Sequence, residues 1–406
     1  MSRLRRLGHS APVQRVLRSG GARRLTHQLV TAQRTPEDVV APYAAWAELE
    51  RAGPAALAAS APASADGPLR LGFVVPAFRR GSGGHTTIAA LVRGLEGRGH
   101  SCSIWIVDPL ERSGGPAAFR DAFGPFAAPV HGDLSGWSGA DVAVATGWQT
   151  VAPVLLLGGC GARAHLVQDL EPEFYPASSE RLWAERAHQF GLPCITAGTW
   201  LAGEMRARDL RASSFDLGID HAVYRPQPSA PRAAARLLFY ARTATPRRAV
   251  PLGMLALAEL HRRRPGVEIV LYGDAAPVRA PFPLTQLGIL EPGGVARAYA
   301  EATVGMVLSL TNHSLVAQEM AACGLPAVEL RTASTEAAFG DGPIVLSEPS
   351  VLALADALEG LLADPDERRR CGEAGVTWAA GRTWAVAAEA AEAALRAALA
   401  APGGGR

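Results

Sequence analysis

Three groups of residues carry side chains that could act together on one substrate. "LVAQEMAACGLP" (315–326) sets Glu319 inside an otherwise apolar helical pattern that closes on glycine and proline. A carboxylate repels phosphate but accepts hydrogen bonds from hydroxyls, and a ribose offers two. The plain alternative is a glutamate turned to solvent. Just upstream, Asn312 or Ser314 suits an N-cap, which would leave the backbone N–H groups of Ser314, Leu315 and Val316 as a site for an anion. "FYARTATPRR" (239–248) ends an apolar run on Arg242 and adds Arg247 and Arg248 after a proline. A guanidinium at a strand end can hold a phosphate, whereas Arg248 reads equally well as solvated.

Gly81, Ser82, Gly83, Gly84 and His85 form the third group. Glycines let backbone approach a ligand, and the helix that follows favours a negative group at its start. The spacing departs from the GxGxxG dinucleotide fingerprint. His85 is either a substrate contact or a helix cap. "VQDLEPEFYP" (167–176) adds Asp169, Glu171 and Tyr175, placed to bind acceptor hydroxyls, to supply a base, or merely to cap the next helix. No DxD motif for a metal is present, and arginine with a helix dipole can stabilise a leaving anion instead.

These groups need elements to hold them. "LRLGFVVPAF", "CSIWIVD", "ADVAVATG", "AHLVQD" and "CITAGT" read as short buried strands, each trailed by a helical pattern. The alternation pauses at the Pro-rich stretch 224–234 and restarts with "RLLFYAR", "VEIVLYGD", "GMVLSL", "PAVEL" and "PIVLS". Two doubly wound α/β halves follow, with ligands in the crevice beyond the strand C-termini. The expected division is 1–67 as a basic helical extension with an Ala/Pro linker, 68–223 as a first Rossmann-like domain, 224–390 as a second, and 391–406 as the end of the C-terminal helix and a tail. The final Ala-rich amphipathic helix could cross back over the first half.

At 406 residues the chain is long enough for two cores. The formal net charge is +2, which gives no electrostatic argument for nucleic acid. Every basic residue is arginine, so any phosphate must be held by arginine. Five scattered cysteines form no CxxC pair, which argues against a disulfide framework or a zinc site. No run is long enough to span a membrane, and the start lacks the apolar core of a signal peptide, so the expected location is cytoplasmic. The first 36 residues hold eight arginines and no acid. They read either as a solvated extension or as an arm touching anionic lipid at the inner face of the membrane.

"GSGGHTT", "RGH", "YAR…PRR", "LYGD" and "SLVAQEMAACGLPAVEL" together resemble the family 4 type of glycosyltransferase with the GT-B fold, over about residues 68 to 390. "GGHTT", "QDLEPEFYP" and "YART…PRR" are especially similar to the rhamnosyltransferase-like branch typified by the S-layer glycan enzyme WsaF. The resemblance implies a nucleotide-sugar donor in the second half, with no cofactor and no metal. It implies Glu319 on the ribose, and Arg242 and Arg247 on the diphosphate, completed by the backbone at 314–316. Gly83, Gly84, Gly273, Thr311, Asn312 and His313 join this donor set, while Arg242, Arg247, Asp169 and His85 form the catalytic set. The acceptor, a glycan, lipid-linked or small-molecule hydroxyl, falls to Asp169, Glu171 and Tyr175. Thr311 stands where the family carries the first glutamate of a pair, which suits a deoxyhexose donor such as dTDP-rhamnose. A nucleotide-sugar 2-epimerase and a non-catalytic partner of another transferase are the alternatives.

Overall fold

The computed structural model of the chain describes residues 39–53, 65–227, 235–340 and 342–400. The basic arm at 1–36 lies outside them. Among the described residues, thirteen strands form two parallel sheets. The first holds β1 (Arg70–Pro76), β2 (Ser101–Val107), β3 (Val130–His131), β4 (Ala140–Ala145), β5 (Cys160–Val167), β6 (Cys194–Ala197) and β7 (Ala212–Phe215), in the order β3-β2-β1-β4-β5-β6-β7. The second holds β8 (Arg236–Tyr240), β9 (Glu268–Tyr272), β10 (Thr285–Gln286), β11 (Val304–Met306), β12 (Ala327–Leu330) and β13 (Ile344–Ser347), ordered β10-β9-β8-β11-β12-β13.

Each order reverses beside its first strand, at β1/β4 and β8/β11, which is where such folds open a ligand crevice. The central strands are apolar along both faces because helices cover both sides; in β1, Leu71, Phe73, Val74 and Val75 are all buried. Both halves are therefore doubly wound, as the alternation predicts. The short edge strands β3, β7 and β10 fall outside that reading.

Two outlying helices pack on the first lobe. The helix Trp384–Ala400 runs unbroken through residue 390 and packs on the first lobe, burying Ala387, Ala391, Ala394 and Leu395 in that core. Its close seat depends on Gly94, where an added Cβ would stand 2.5 Å from the Ala388 Cβ. The chain crosses between lobes beside the linker, where Ile219 N–H donates to Arg382 O at 3.0 Å. At the other end, the helix Ala44–Ala52 packs on the same lobe: Trp46 and Leu49 are buried against Trp148, Val151 and Leu155. An apolar stripe of this kind must be covered, and the helix Trp148–Leu156 covers it.

Candidate functional site

The C-terminal ends of both sheets face one crevice with a cavity of about 490 Å³. From the first lobe come Pro76 at the end of β1, the loop 81–85, Thr146 after β4, and Gln168 and Asp169 after β5. From the second come Tyr240, Arg242, Arg247 and Arg248 after β8, then His313, Ser314, Leu315, Val316 and Glu319. The structure thus gathers the three groups singled out above. Gln149, Gln168, Thr146, Tyr240 and Phe174 join them; sequence reasoning passed over these because single polar or aromatic residues just beyond the strands carry no motif.

Two helices begin in this crevice. Gly83–Gly97 starts after Ser82, whose side chain makes no capping bond, so the first N–H groups stay open to the cleft. A side chain at Gly83 would meet nothing within 4 Å, and one at Gly84 would meet only Gln168 at ordinary contact. Leu315–Ala322 starts after Ser314, and here the expectation needs correction. Ser314 Oγ accepts the Val316 N–H at 3.2 Å, so that N–H is already met and the anion site is narrower than 314–316. Each helix start carries roughly half a positive charge.

The arginines reach across the crevice. Arg242 Nη1 donates to Gly81 O at 2.8 Å. Arg247 Nε lies 3.2 Å from Asp169 Oδ2, within ion-pair range though not aligned as a hydrogen bond, and its guanidinium lies 4.0 Å from the Phe174 ring centroid. Arg248 lines the crevice too, but its Nη1 donates to Ser309 Oγ at 2.5 Å, which ties the side chain to the second lobe.

Glu319 is half-buried on the crevice wall, and Tyr299 Oη donates to its Oε2 at 3.5 Å. Burial pushes its carboxyl up to about 8, opposed by hydrogen bonds from Tyr224 and Tyr299. Tyr272 and Tyr299 share a hydrogen bond at 2.7 Å behind it, so three tyrosines fix the carboxyl while it faces the cleft. Glu171 is likewise pushed up to about 8 by burial, against the pull of the Trp148 N–H that its Oε2 accepts at 2.6 Å.

Several expected contacts sit elsewhere. Asn312 is spent between the lobes: its Nδ2 donates to Gln168 O and Ala197 O, both at 2.9 Å, and its N–H donates to Asp169 Oδ1 at 2.9 Å. Asp169 also accepts the Leu170 N–H at 2.9 Å, so this carboxylate ties the lobes together. Thr311 is buried away from the cavity lining, and its Oγ1 has no hydrogen-bond partner. Gly273 also lies behind the wall; at φ +102°, an added Cβ would stand 2.5 Å from the Tyr240 ring, so glycine lets that ring line the cleft. Tyr175 faces a neighbouring cavity, its hydroxyl accepting from Trp148 Nε1 at 3.2 Å. His85 reaches the crevice with both nitrogens engaged, Nδ1 at 2.9 Å from Ser82 Oγ and Nε2 at 3.3 Å from Pro76 O. A carbonyl only accepts, so Nε2 carries the proton. Burial lowers this imidazole to about 4, leaving it neutral at physiological pH.

What the crevice can do follows from these parts. Two guanidinium groups and two helix starts favour an extended anion such as a diphosphate, and Glu319 beside them accepts from hydroxyls.

Comparison with known proteins fits this arrangement. Residues 235–359 match the family described as WsaF, C-terminal domain. The chain is 28% identical over 242 residues to the O-antigen biosynthesis protein RfbC of Myxococcus xanthus, covering 57% of this chain and 19% of that one. It is also 28% identical over 215 residues to the D-inositol 3-phosphate glycosyltransferase of Segniliparus rotundus, covering 48% of this chain and 45% of the other. The chain thus spans less than half the length of either curated relative. Among solved structures, Anabaena Alr3699/HepE in complex with UDP and glucose superimposes with a TM-score of 0.62 at 15% identity, over 81% of this chain and 100% of that one. The chain therefore has the GT-B fold, two Rossmann-like α/β lobes facing one crevice, with a second lobe similar to the WsaF C-terminal domain.

Proposed function

We propose that this protein is a glycosyltransferase that moves a sugar from a nucleotide diphosphate donor to a hydroxyl of a glycan. The observation that carries this reading is the convergence of Arg242, Arg247, the start of Leu315–Ala322 and Glu319 on one wall of the crevice. Glu319 takes the ribose hydroxyls, and the arginines with the helix start take the diphosphate. As the glycosidic bond breaks, the leaving diphosphate gains charge, so these contacts strengthen in the transition state. Neither a cofactor nor a metal ion is required in this scheme. The similarity to RfbC and to the WsaF C-terminal domain supports a polysaccharide product.

The finer reading is a retaining family 4 enzyme of the WsaF-like branch with a deoxyhexose donor such as dTDP-rhamnose. In this scheme the departing diphosphate helps to activate the acceptor hydroxyl, and the protein contributes positioning rather than a nucleophile. Catalysis takes place at the cytoplasmic face of the membrane, with the basic arm at 1–36 close to anionic lipid.

The test is nucleotide release from a panel of dTDP-, UDP- and GDP-sugars with glycan acceptors. Acceptor-dependent release from at least one donor is expected. Epimerisation without an acceptor would favour a 2-epimerase, and binding without turnover would favour a partner protein.

A further inference from the structure

Beside the donor crevice lies a second cavity of about 310 Å³, at the low end of the range for small-molecule sites. Tyr43, Trp148 and Tyr175 supply its aromatic walls, and Asp108 and Glu180 its carboxylates. Gln149 lines both this cavity and the crevice, as do Pro76 and Ala77. Tyr43 precedes the first Rossmann strand, so a segment outside the α/β core completes the site.

Tyr43, Trp148 and Trp183 lie nearly parallel. Tyr43 stands 4.4 Å from the Trp183 ring and 6.3 Å from Trp148, with planes 29° and 10° apart. Tyr43 Oη donates to Glu180 Oε1 at 3.1 Å, which fixes the half-exposed ring over the cavity. Indole nitrogen only donates, so Tyr175 Oη accepts from Trp148, and its own proton remains available to a ligand. The carboxylates first assigned to an acceptor are committed elsewhere: Asp169 ties the lobes, and Glu171 meets the start of Trp148–Leu156.

We propose that this cavity seats a neutral pyranose, the terminal sugar of a glycan acceptor. An aromatic face suits the C–H face of a sugar ring, and carboxylates accept from its hydroxyls. Two carboxylates against the single Arg112 disfavour a phosphate or carboxylate ligand. The shared wall of Pro76, Ala77 and Gln149 lets one hydroxyl of the seated ring face the donor crevice. The proposal rests on the glycosyl-transfer reading for its role, while the binding itself can be measured without turnover.

The probes are the methyl glycosides of glucose, galactose, mannose and rhamnose, added to the full chain and followed by tryptophan fluorescence and saturation-transfer NMR. At least one should bind, and Tyr43→Ala should weaken it roughly tenfold. Glu180→Gln should weaken it as well while keeping the aromatic stack, which guards against a Tyr43 variant that fails to fold. Affinity for UDP, GDP and dTDP should stay unchanged in both variants. No binding of any glycoside, unchanged binding in both folded variants, or tighter binding of glucose 6-phosphate than of methyl glucoside would overturn the proposal. Turnover with an acceptor KM indifferent to both substitutions would sink the cavity assignment and leave the transferase reading standing. Glycoside binding lost in both variants, with no donor turned over, would do the reverse.

Discussion

At Arg248 the guanidinium donates to Ser309 Oγ, and Ser309 in turn donates to Glu329 Oε2 at 3.0 Å. Glu329 is fully buried on β12, and burial pushes its carboxyl up to about 7. The same carboxyl accepts the Ser309 and Leu330 N–H groups, so the three side chains brace the loop that leads from β11 to the crevice. Arg247, one residue earlier, lines the same crevice without a bond to this network. Arg248→Ala should therefore act on stability, costing about 1–3 kcal/mol for a lost bond to a buried network. Differential scanning calorimetry should show a lower thermal midpoint, while a solvated Arg248 would leave it unmoved. Spacing alone offers little to part Arg247 from Arg248, since both follow the same proline; the family resemblance put Arg247 on the diphosphate and left Arg248 as equally well solvated. The tie of Arg248 to Ser309, sixty-one positions away, was hidden from sequence.

His165 on β5 and His188 show what burial does at the scale of packed elements. Their rings lie 5.8 Å apart, and neither Nε2 has a hydrogen-bond partner. Burial lowers His165 to about 3 and His188 to about 4, aided by the neighbouring imidazole and by Arg208 respectively. Both are neutral in the folded state at neutral pH, whereas the unfolded chain titrates near the ordinary 6.5. As pH falls from 6.5 toward 4, the unfolded state takes up protons first, and stability is lost. The raised carboxyls of Glu171 and Glu319 act in the opposite sense, since from 4.5 to about 8 the folded state holds the extra proton. The informative quantity is thus the difference between variants. His165→Leu should flatten the fall in thermal midpoint between pH 6.5 and 4, and a parallel curve would reject this account. Long strands such as β1 and β5 were legible because apolar runs bounded by turn residues are specific. The two-residue strands β3 and β10 were not, because an alternation of period two cannot register over two positions.

On the scale of the whole molecule, the two-lobed fold was legible from the linker and the restart of the strand–helix alternation. The crossing of Trp384–Ala400 onto the first lobe was legible as an option in its Ala-rich amphipathic pattern. The inter-lobe ties were hidden from sequence. Asn312 looks like a helix cap or ligand, yet its amide holds Gln168 and Ala197 across the crevice, more than a hundred positions away. Thr311, read as the position that shapes sugar choice, lies outside the cavity lining, and no local pattern reports that turn. Among the described residues, no helix is long and apolar enough to cross a membrane.

The central claim is that one wall of the crevice holds a nucleoside diphosphate, with Arg242 and Arg247 on the phosphates and Glu319 on the ribose. Isothermal titration of UDP, GDP and dTDP, and of the matching nucleosides, into the wild type and three alanine variants tests it most directly. At least one diphosphate should bind. Arg242→Ala and Arg247→Ala should each weaken it by roughly tenfold or more, as expected for a lost charge-assisted contact, while leaving nucleoside binding nearly unchanged. Glu319→Ala should weaken diphosphate and nucleoside alike. Equal affinities across all four folded proteins, or no diphosphate binding to the wild type, would contradict the account.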